Sequence, residues 1–384
     1  MRSLKKKRIA LFAMGVIGGG SLSQGIPVLE NLFTRLSAEY EIVYYCFQPI
    51  DPSRVPAPIQ VRSAGSRLLP GRLNFALLFF RFCMDHLGNR FSTVFSVSVY
   101  PTGWAAAWAG RLFGVPSIVQ IIALEAVALP DIGAGNLLRP WLKKLTQKVF
   151  DHATHVIAVA EYQKTIAENS LRITRPISVL PLRIDHNNFT YRARGPATPL
   201  ELIHIAFYGR VKDQHCLFKA FAEVLKHKPA RLTVVGDGYS LPELDVFLRK
   251  LGILDQIRFT GPVRQSEIPL LLDRSDMLVH PARFETGCAV IQEAMASGVA
   301  VVGTRVGLLA DIGDEFAGVV EVSDYIALAN KILEVSGNPE LYARLTSNAY
   351  RMISKYDAQW MVKGYKEFLD AVIAGEAARV TRAP

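Results

Sequence analysis

The segment RFETGCAVIQEAMASGVAVVGT, Arg283 to Thr304, places two glutamates, Glu285 and Glu293, with seven residues between them and closes on an apolar run that no surface loop would carry. The run MLVH just upstream, Met277 to His280, is stopped by Pro281, so the stretch reads as strand, loop, helix and buried strand. Gly287 opens the helix AVIQEAMA, which leaves Glu285 in the loop and puts Glu293 nearly two turns inside the helix. The amides near Gly287, Cys288 and Ala289 are first-turn donors with no partner inside the helix. Such a cradle can hold a phosphate at its amides and hydroxyl groups at both carboxylates.

Outward from that segment, short apolar runs alternate with helical patterns along most of the 384 residues. Ile9 to Met14, Ile42 to Phe47, Thr93 to Val97, Ser117 to Ile122, His155 to Val159 and Ile177 to Leu180 read as strands in the first half. Ile203 to Tyr208, Arg231 to Val235, Ile257 to Thr260, Met277 to His280 and Ala300 to Gly303 follow in the second. Continuous β-rich runs between helices imply parallel sheets covered on both faces, and the length implies two domains. The rhythm breaks at ARGPATPLE, Ala193 to Glu201, a linker signal. The expectation is therefore an α/β chain of two doubly wound domains, 1–190 and 200–355, followed by a final helix within 356–376.

The N-terminus, MRSLKKKRIALFAMGVI, has the order of a secretory signal. It is read instead as the first buried strand, running into the glycine turn Gly18-Gly19-Gly20 and a helix from Pro27 to Tyr40, because the sheet that follows needs that strand. The glycine turn lacks GxGxxG and a downstream acid, so a nicotinamide dehydrogenase is not supported.

Ligands of open parallel sheets sit outside the carboxyl ends of the strands. After the strand ending at Tyr208 comes GRVKDQ, where Gly209 precedes Arg210 and Lys212 at the mouth of a helix, a place for a dianion such as a diphosphate. After the next strand comes VVGDGY, where Gly236 and Gly238 allow close backbone approach to a ligand or to the other domain. With the two glutamates, these loops suit a sugar nucleotide, which carries hydroxyls on either side of its diphosphate.

The formal charge of +10 favours anionic partners or simply solubility. RLLPGRLNFALLFFRFCMDHL, Arg67 to Leu87, and RPWLKKLTQKVF, Arg139 to Phe150, combine cations with large apolar residues and suit either an anionic membrane surface or a core helix. No apolar run approaches the roughly 20 residues of a membrane span. Cys46, Cys83, Cys216 and Cys288 form no CxxC, and the histidines show no metal-ligand spacing, so neither a disulfide framework nor a bound metal is expected.

In these motifs the second half resembles the retaining glycosyltransferases of family 4, which have the GT-B fold of two facing Rossmann-like domains. The matching residues are Gly209-Arg210, Lys212, Val235-Gly236-Asp237-Gly238, the pair Glu285 and Glu293, and Ala294-Met295-Ala296-Ser297-Gly298. The resemblance implies that Arg210 and Lys212 face the donor diphosphate, Glu293 the ribose and Glu285 the transferred sugar. It also implies that the final helix, with Trp360, Tyr365 and Phe368, crosses back to the N-terminal domain. Three departures stand out. The step from arginine to lysine is shorter than in the family, no histidine stands near Ile122, and Leu308 replaces the second glycine of a V-G-G loop at Val306-Gly307.

The implied activity is transfer of a sugar from a nucleotide-diphosphate sugar to a glycan or lipid-linked acceptor. Retention by front-face attack is expected, with Arg210, Lys212 and the helix amides stabilising the departing diphosphate without a metal or other cofactor. No nucleic-acid partner is expected, and the location expected is cytoplasmic, with peripheral contact at the inner face of the cell membrane. A sugar-nucleotide epimerase and a non-catalytic membrane-associated GT-B scaffold are the alternatives.

Overall fold

The computed structural model describes residues 6–18, 25–48, 50–63 and 71–376. Of the glycine turn, Gly18 is described, and Gly19 and Gly20 lie outside those residues. The chain divides into two compact units, one running to Leu182 and taking up the chain again from Ala358, the other spanning Arg183 to Asp357.

The first unit contains β1 (Arg8–Ala13), α1 (Pro27–Leu36), β2 (Glu41–Cys46), β3 (Gln60–Ser63), α2 (Gly71–Gly88), β4 (Thr93–Val97), α3 (Thr102–Phe113), β5 (Ser117–Gln120), α4 (Pro140–His152), β6 (His155–Ala158), α5 (Glu161–Ser170) and β7 (Ile177–Val179). Its strands form a parallel sheet in the order β3-β2-β1-β4-β5-β6-β7. β1 is buried along its whole length and pairs with both β2 and β4, so the basic-apolar N-terminus is a central strand. Phe82 of α2 packs on Phe12 of β1 and Tyr45 of β2 with ring centroids 5.1 and 5.7 Å apart. Gly18, at φ 74°, faces Val55 so closely that an added Cβ would lie 2.8 Å from its side chain, and its amide donates to Glu30.

The second unit contains β8 (Leu200–Ile205), α6 (Gln214–Leu225), β9 (Ala230–Val235), α7 (Pro242–Leu251), β10 (Ile257–Gly261), α8 (Ile268–Asp273), β11 (Met277–His280), α9 (Ala289–Ala296), β12 (Ala300–Thr304), α10 (Leu308–Ile312), β13 (Gly318–Val320), α11 (Tyr325–Gly337) and α12 (Pro339–Lys355). The parallel order is β10-β9-β8-β11-β12-β13, with Phe218 and Phe221 of α6 packed over Leu202, Val234, Val279 and Val302. The strand order reverses between β8 and β11, and such a switch point opens a crevice at the carboxyl ends of the strands.

The last helix, α13 (Ala358–Ala374), belongs to the first unit. Tyr365 donates to Leu180 O at 3.0 Å and accepts from Gln120 at 2.8 Å, and Asp370 takes hydrogen bonds from Tyr40 and Lys7. The segment read as a linker carries structure. Leu200 is buried and its amide donates to Pro229 O, so β8 starts there rather than at Ile203. Residues 183–199 run along the second unit, with Ile184 N donating to Gln292 and Ala197 N to Asp276. β3 and β13 were not expected, being short edge strands of four and three residues.

Candidate active site

The strand MLVH forms because all four side chains are buried between β8 and β12, and it ends at Pro281. The loop beyond it is fixed from β12. Thr304 Oγ1 donates to Ala282 O, and Leu308 N donates to Thr286 O at 2.8 Å. Gly307 lies at φ 53°, where an added Cβ would come within 2.4 Å of Thr286 O. Only glycine lets the two loops approach this closely. Glu285 is thereby held at the carboxyl end of the sheet with its side chain 11% exposed.

Two groups meet one oxygen of that carboxylate. Lys212 Nζ forms an ion pair with Glu285 Oε1, and His280 Nε2 lies 3.1 Å from the same atom. Burial by itself would raise the Glu285 carboxyl; the Lys212 ammonium and the imidazole outweigh it and hold it at about 2. For Lys212, burial works against the charged form and Glu285 restores it, with a net upward shift. The second nitrogen of His280, Nδ1, is buried and has no hydrogen-bond partner.

The short turn that delivers Lys212 is pinned by Gln214, which is 1% exposed. Its amide donates to Phe207 O at 2.9 Å and Tyr239 Oη at 3.1 Å and accepts from Gly209 N at 3.1 Å. Arg283 N donates to Val211 O at 2.8 Å, tying this turn directly to the Glu285 loop. Arg210, on the same turn, is exposed and makes no ion pair among the described residues. Gly236 and Gly238 support the same turn. At Gly236, φ 139°, an added Cβ would lie 2.0 Å from Ala206 O, and at Gly238, φ 86°, it would lie 3.2 Å from Tyr208 Cβ. The close approach these glycines permit is to the end of β8 within their own unit.

Glu293 is in other surroundings. It lies in α9, 6% exposed, where Gln265 Nε2 donates to it at 2.6 Å. Burial raises its carboxyl to about 7, with the Gln265 hydrogen bond opposing. Cys288 caps α9 at φ 29°, and its Sγ stands 3.6 Å from His280 Nε2. Burial pushes that thiol up, so it is not a thiolate at neutral pH. The ligand atoms of His280, Glu285 and Cys288 lie within 4.8 Å of one another, a spacing a metal ion could use. Lys212 already supplies a cation at the shared Glu285 oxygen.

Lys212 and Glu285 are thus brought into contact; Gly209 precedes Lys212 on its turn, Gly287 and Cys288 follow Glu285 in its loop, and Ala289 opens α9. Glu293 is held by Gln265 instead. Sequence reasoning missed His280, Gln214 and Gln265. His280 ends the quoted MLVH and Gln214 ends the quoted GRVKDQ, at a strand end and a helix start, while nothing in the chain pattern marks Gln265.

The two parallel-sheet units have the fold of the GT-B type. Two family descriptions cover most of the chain: "Glycosyl transferase 4-like domain" matches residues 29–183 and "Glycosyl transferases group 1" matches 192–352. The chain belongs to the family 4-type glycosyltransferases. The alpha-monoglucosyldiacylglycerol synthase of Streptococcus pneumoniae is 31% identical over 296 residues, 72% of this chain and 65% of that protein. The chain spans 33% to 67% of the length of the curated relatives that it matches. Among solved structures, sucrose-phosphate synthase from Thermosynechococcus elongatus superposes with a TM-score of 0.80 at 16% identity, covering 97% of this chain and 100% of that one. Anabaena HepE in complex with UDP-glucose gives 0.75 at 18% identity, covering 95% and 99%.

Proposed function

We propose that this glycosyltransferase is a retaining, metal-independent enzyme that moves a sugar from a nucleotide-diphosphate sugar to a lipid-linked or glycan acceptor. The observation that carries the reading is the Lys212–Glu285 pair at the carboxyl end of β11, near the first turn of α9 and near Arg210, which makes no ion pair among the described residues. Breaking a sugar–phosphate bond puts negative charge on the departing diphosphate and positive charge on the sugar. Arg210, Lys212 and the α9 amides would stabilise the first, each good contact contributing a few kcal/mol. Glu285, held ionised by Lys212, would accept hydrogen bonds from the transferred sugar, and Glu293 would take the ribose hydroxyls. Front-face attack, with the leaving phosphate accepting the acceptor's proton, keeps the configuration and needs no carboxylate nucleophile.

UDP-sugars are the first donors to try, since HepE was solved with UDP-glucose. A lipid acceptor is favoured by the relative named for glucosyl diacylglycerol synthesis. The test is thermal-shift and sugar-release measurement with UDP-, GDP- and ADP-sugars, with and without chelator. The expected result is stabilisation and turnover by one nucleotide series, insensitive to chelator. Loss of donor affinity beyond about tenfold, roughly 1.4 kcal/mol, on chelation would overturn metal independence. No response to any series would overturn the donor assignment.

A further inference from the structure

The outer side of the first unit carries an apolar face. Asn74, Leu78, Phe82 and His86 of α2 are buried towards the sheet. Leu73, Leu77, Phe80, Met84 and Leu87 recur every three or four residues on the opposite side and are 46%, 51%, 63%, 51% and 69% exposed. The water-facing side of a surface helix normally carries polar groups, so α2 is built to be covered on both sides.

α3 extends the same face. Phe75 meets Trp104 at 5.8 Å and Phe82 meets Phe113 at 5.9 Å, which seats α3 beside α2. On its outer side Trp108 is 49% and Leu112 62% exposed, one turn apart. The links β3-α2-β4, β4-α3-β5 and β5-α4-β6 all step the same way across the sheet, and right-handed crossovers put their helices in one layer. α4, in contrast, buries its apolar residues Leu142, Val149 and Phe150 and offers outward mainly Lys143, Lys144, Lys148 and Trp141.

Cations outnumber acids around this face, the acid of α4, Asp151, being half-buried and hydrogen-bonded by Gln147. Exposed Arg72 and Arg81 lie on α2, Arg111 on α3 and the lysines on α4. The acid of α2, Asp85, is engaged by Arg62 and Arg81 at 3.2 Å each and by Tyr45 at 2.8 Å, and α3 contains no acid. A partner that fits must be apolar where α2 and α3 are apolar and anionic where the cations stand. Among the described residues no helix is long and apolar enough to cross a membrane.

We propose that the α2–α3 face docks on the surface of an anionic lipid bilayer. The α2 stripe, with Trp108 and Leu112, enters the headgroup boundary, and the surrounding arginines and lysines meet the anionic headgroups. This deepens the lipid-acceptor half of the function proposed above and is independent of the donor half.

The experiment is co-flotation of the full chain with phosphatidylcholine vesicles, with and without phosphatidylglycerol, for the unsubstituted protein and for Leu77→Glu/Phe80→Glu and Trp108→Ser. The exposed positions keep the fold, which far-UV circular dichroism melting checks, and UDP thermal shift reports the donor site separately. The expected result is flotation with anionic vesicles only, weakened by salt, and reduced about tenfold or more by the double substitution with melting and UDP response unchanged. Equal flotation by the protein and its double variant, or no flotation with anionic vesicles, overturns the proposal. So does a dimer in analytical ultracentrifugation that the double substitution dissociates, since the face would then be covered by a second copy. A protein that floats as expected but ignores UDP keeps this inference and loses the donor reading.

Discussion

Glu285 and Glu293 belong to one motif and lie at the two ends of a single loop-helix junction, yet the protein treats them in opposite ways. In the loop, a lysine and a histidine converge on one oxygen of Glu285 and keep it charged at about 2. Within α9, Glu293 has the neutral amide of Gln265 as its hydrogen-bond donor, and burial lifts it to about 7. Burial is similar at the two sites, and the difference is the countercharge. An acid held ionised beside a lysine suits a sugar bearing developing positive charge, and an acid with no countercharge suits hydroxyl groups, which bind it more strongly once it is ionised.

The sharpest way to break that contrast is to remove the countercharge. Lys212→Ala leaves Glu285 buried without its partner, and truncating one member of such a pair costs about 3–5 kcal/mol. Lys212→Met with Glu285→Gln should recover much of that stability in denaturant melts while leaving turnover low. If Lys212→Ala melts like the unsubstituted protein, the pair is not what holds the loop.

The two carboxyls should also divide the pH profile of stability. Glu293 has its folded value raised to about 7, so its contribution is fully present below the unfolded value of 4.5 and is lost as pH rises through about 7. Glu285 has its folded value lowered to about 2, so its contribution is present above 4.5 and is lost as pH falls through about 2. Each amounts to something on the order of 3 kcal/mol. Melts of Glu293→Gln from about pH 2 to 7.5 should lose the alkaline-side decline while keeping the acid-side one below pH 4.5; an unchanged profile would contradict the assignment.

A smaller effect is expected beneath the loop. Gly307→Ala combines φ 53° with a Cβ 2.4 Å from Thr286 O, and such strain costs about 1–3 kcal/mol. Because the Glu285 loop must shift to accept the methyl group, turnover should fall more than nucleotide affinity, which stopped-flow and calorimetry separate.

Much of the second unit was legible because a buried parallel strand is a short apolar run with glycine or proline at its end, as MLVH-Pro and AVVGT show. β3 escaped notice because only an edge position, half covered, makes QVRS a strand. The motif residues announced the pair Glu285 and Lys212. The contact itself was not readable, because the short Arg210–Lys212 turn reaches Glu285 only through Gln214 and the Val211–Arg283 hydrogen bond, which join loops far apart in sequence. Gln265 is further removed still, on a connection with no periodic signal, and only the fold brings it to Glu293. Segment 67–87 was readable as either a core or a surface helix, and α2 proves to be apolar on both sides.

The division of labour between the two glutamates is tested most directly by calorimetry of UDP, the free nucleotide, on Glu285→Gln and Glu293→Gln. Glu293→Gln should weaken UDP about tenfold or more, in keeping with about 1.5–3 kcal/mol for a hydrogen bond to a charged group, and the loss should be larger above pH 7, where Glu293 is ionised. Glu285→Gln should leave UDP affinity within about twofold and weaken only the sugar-bearing donor and turnover. Equal weakening of UDP by both substitutions would contradict the separation of ribose from sugar, and no weakening by Glu293→Gln would remove the ribose from α9.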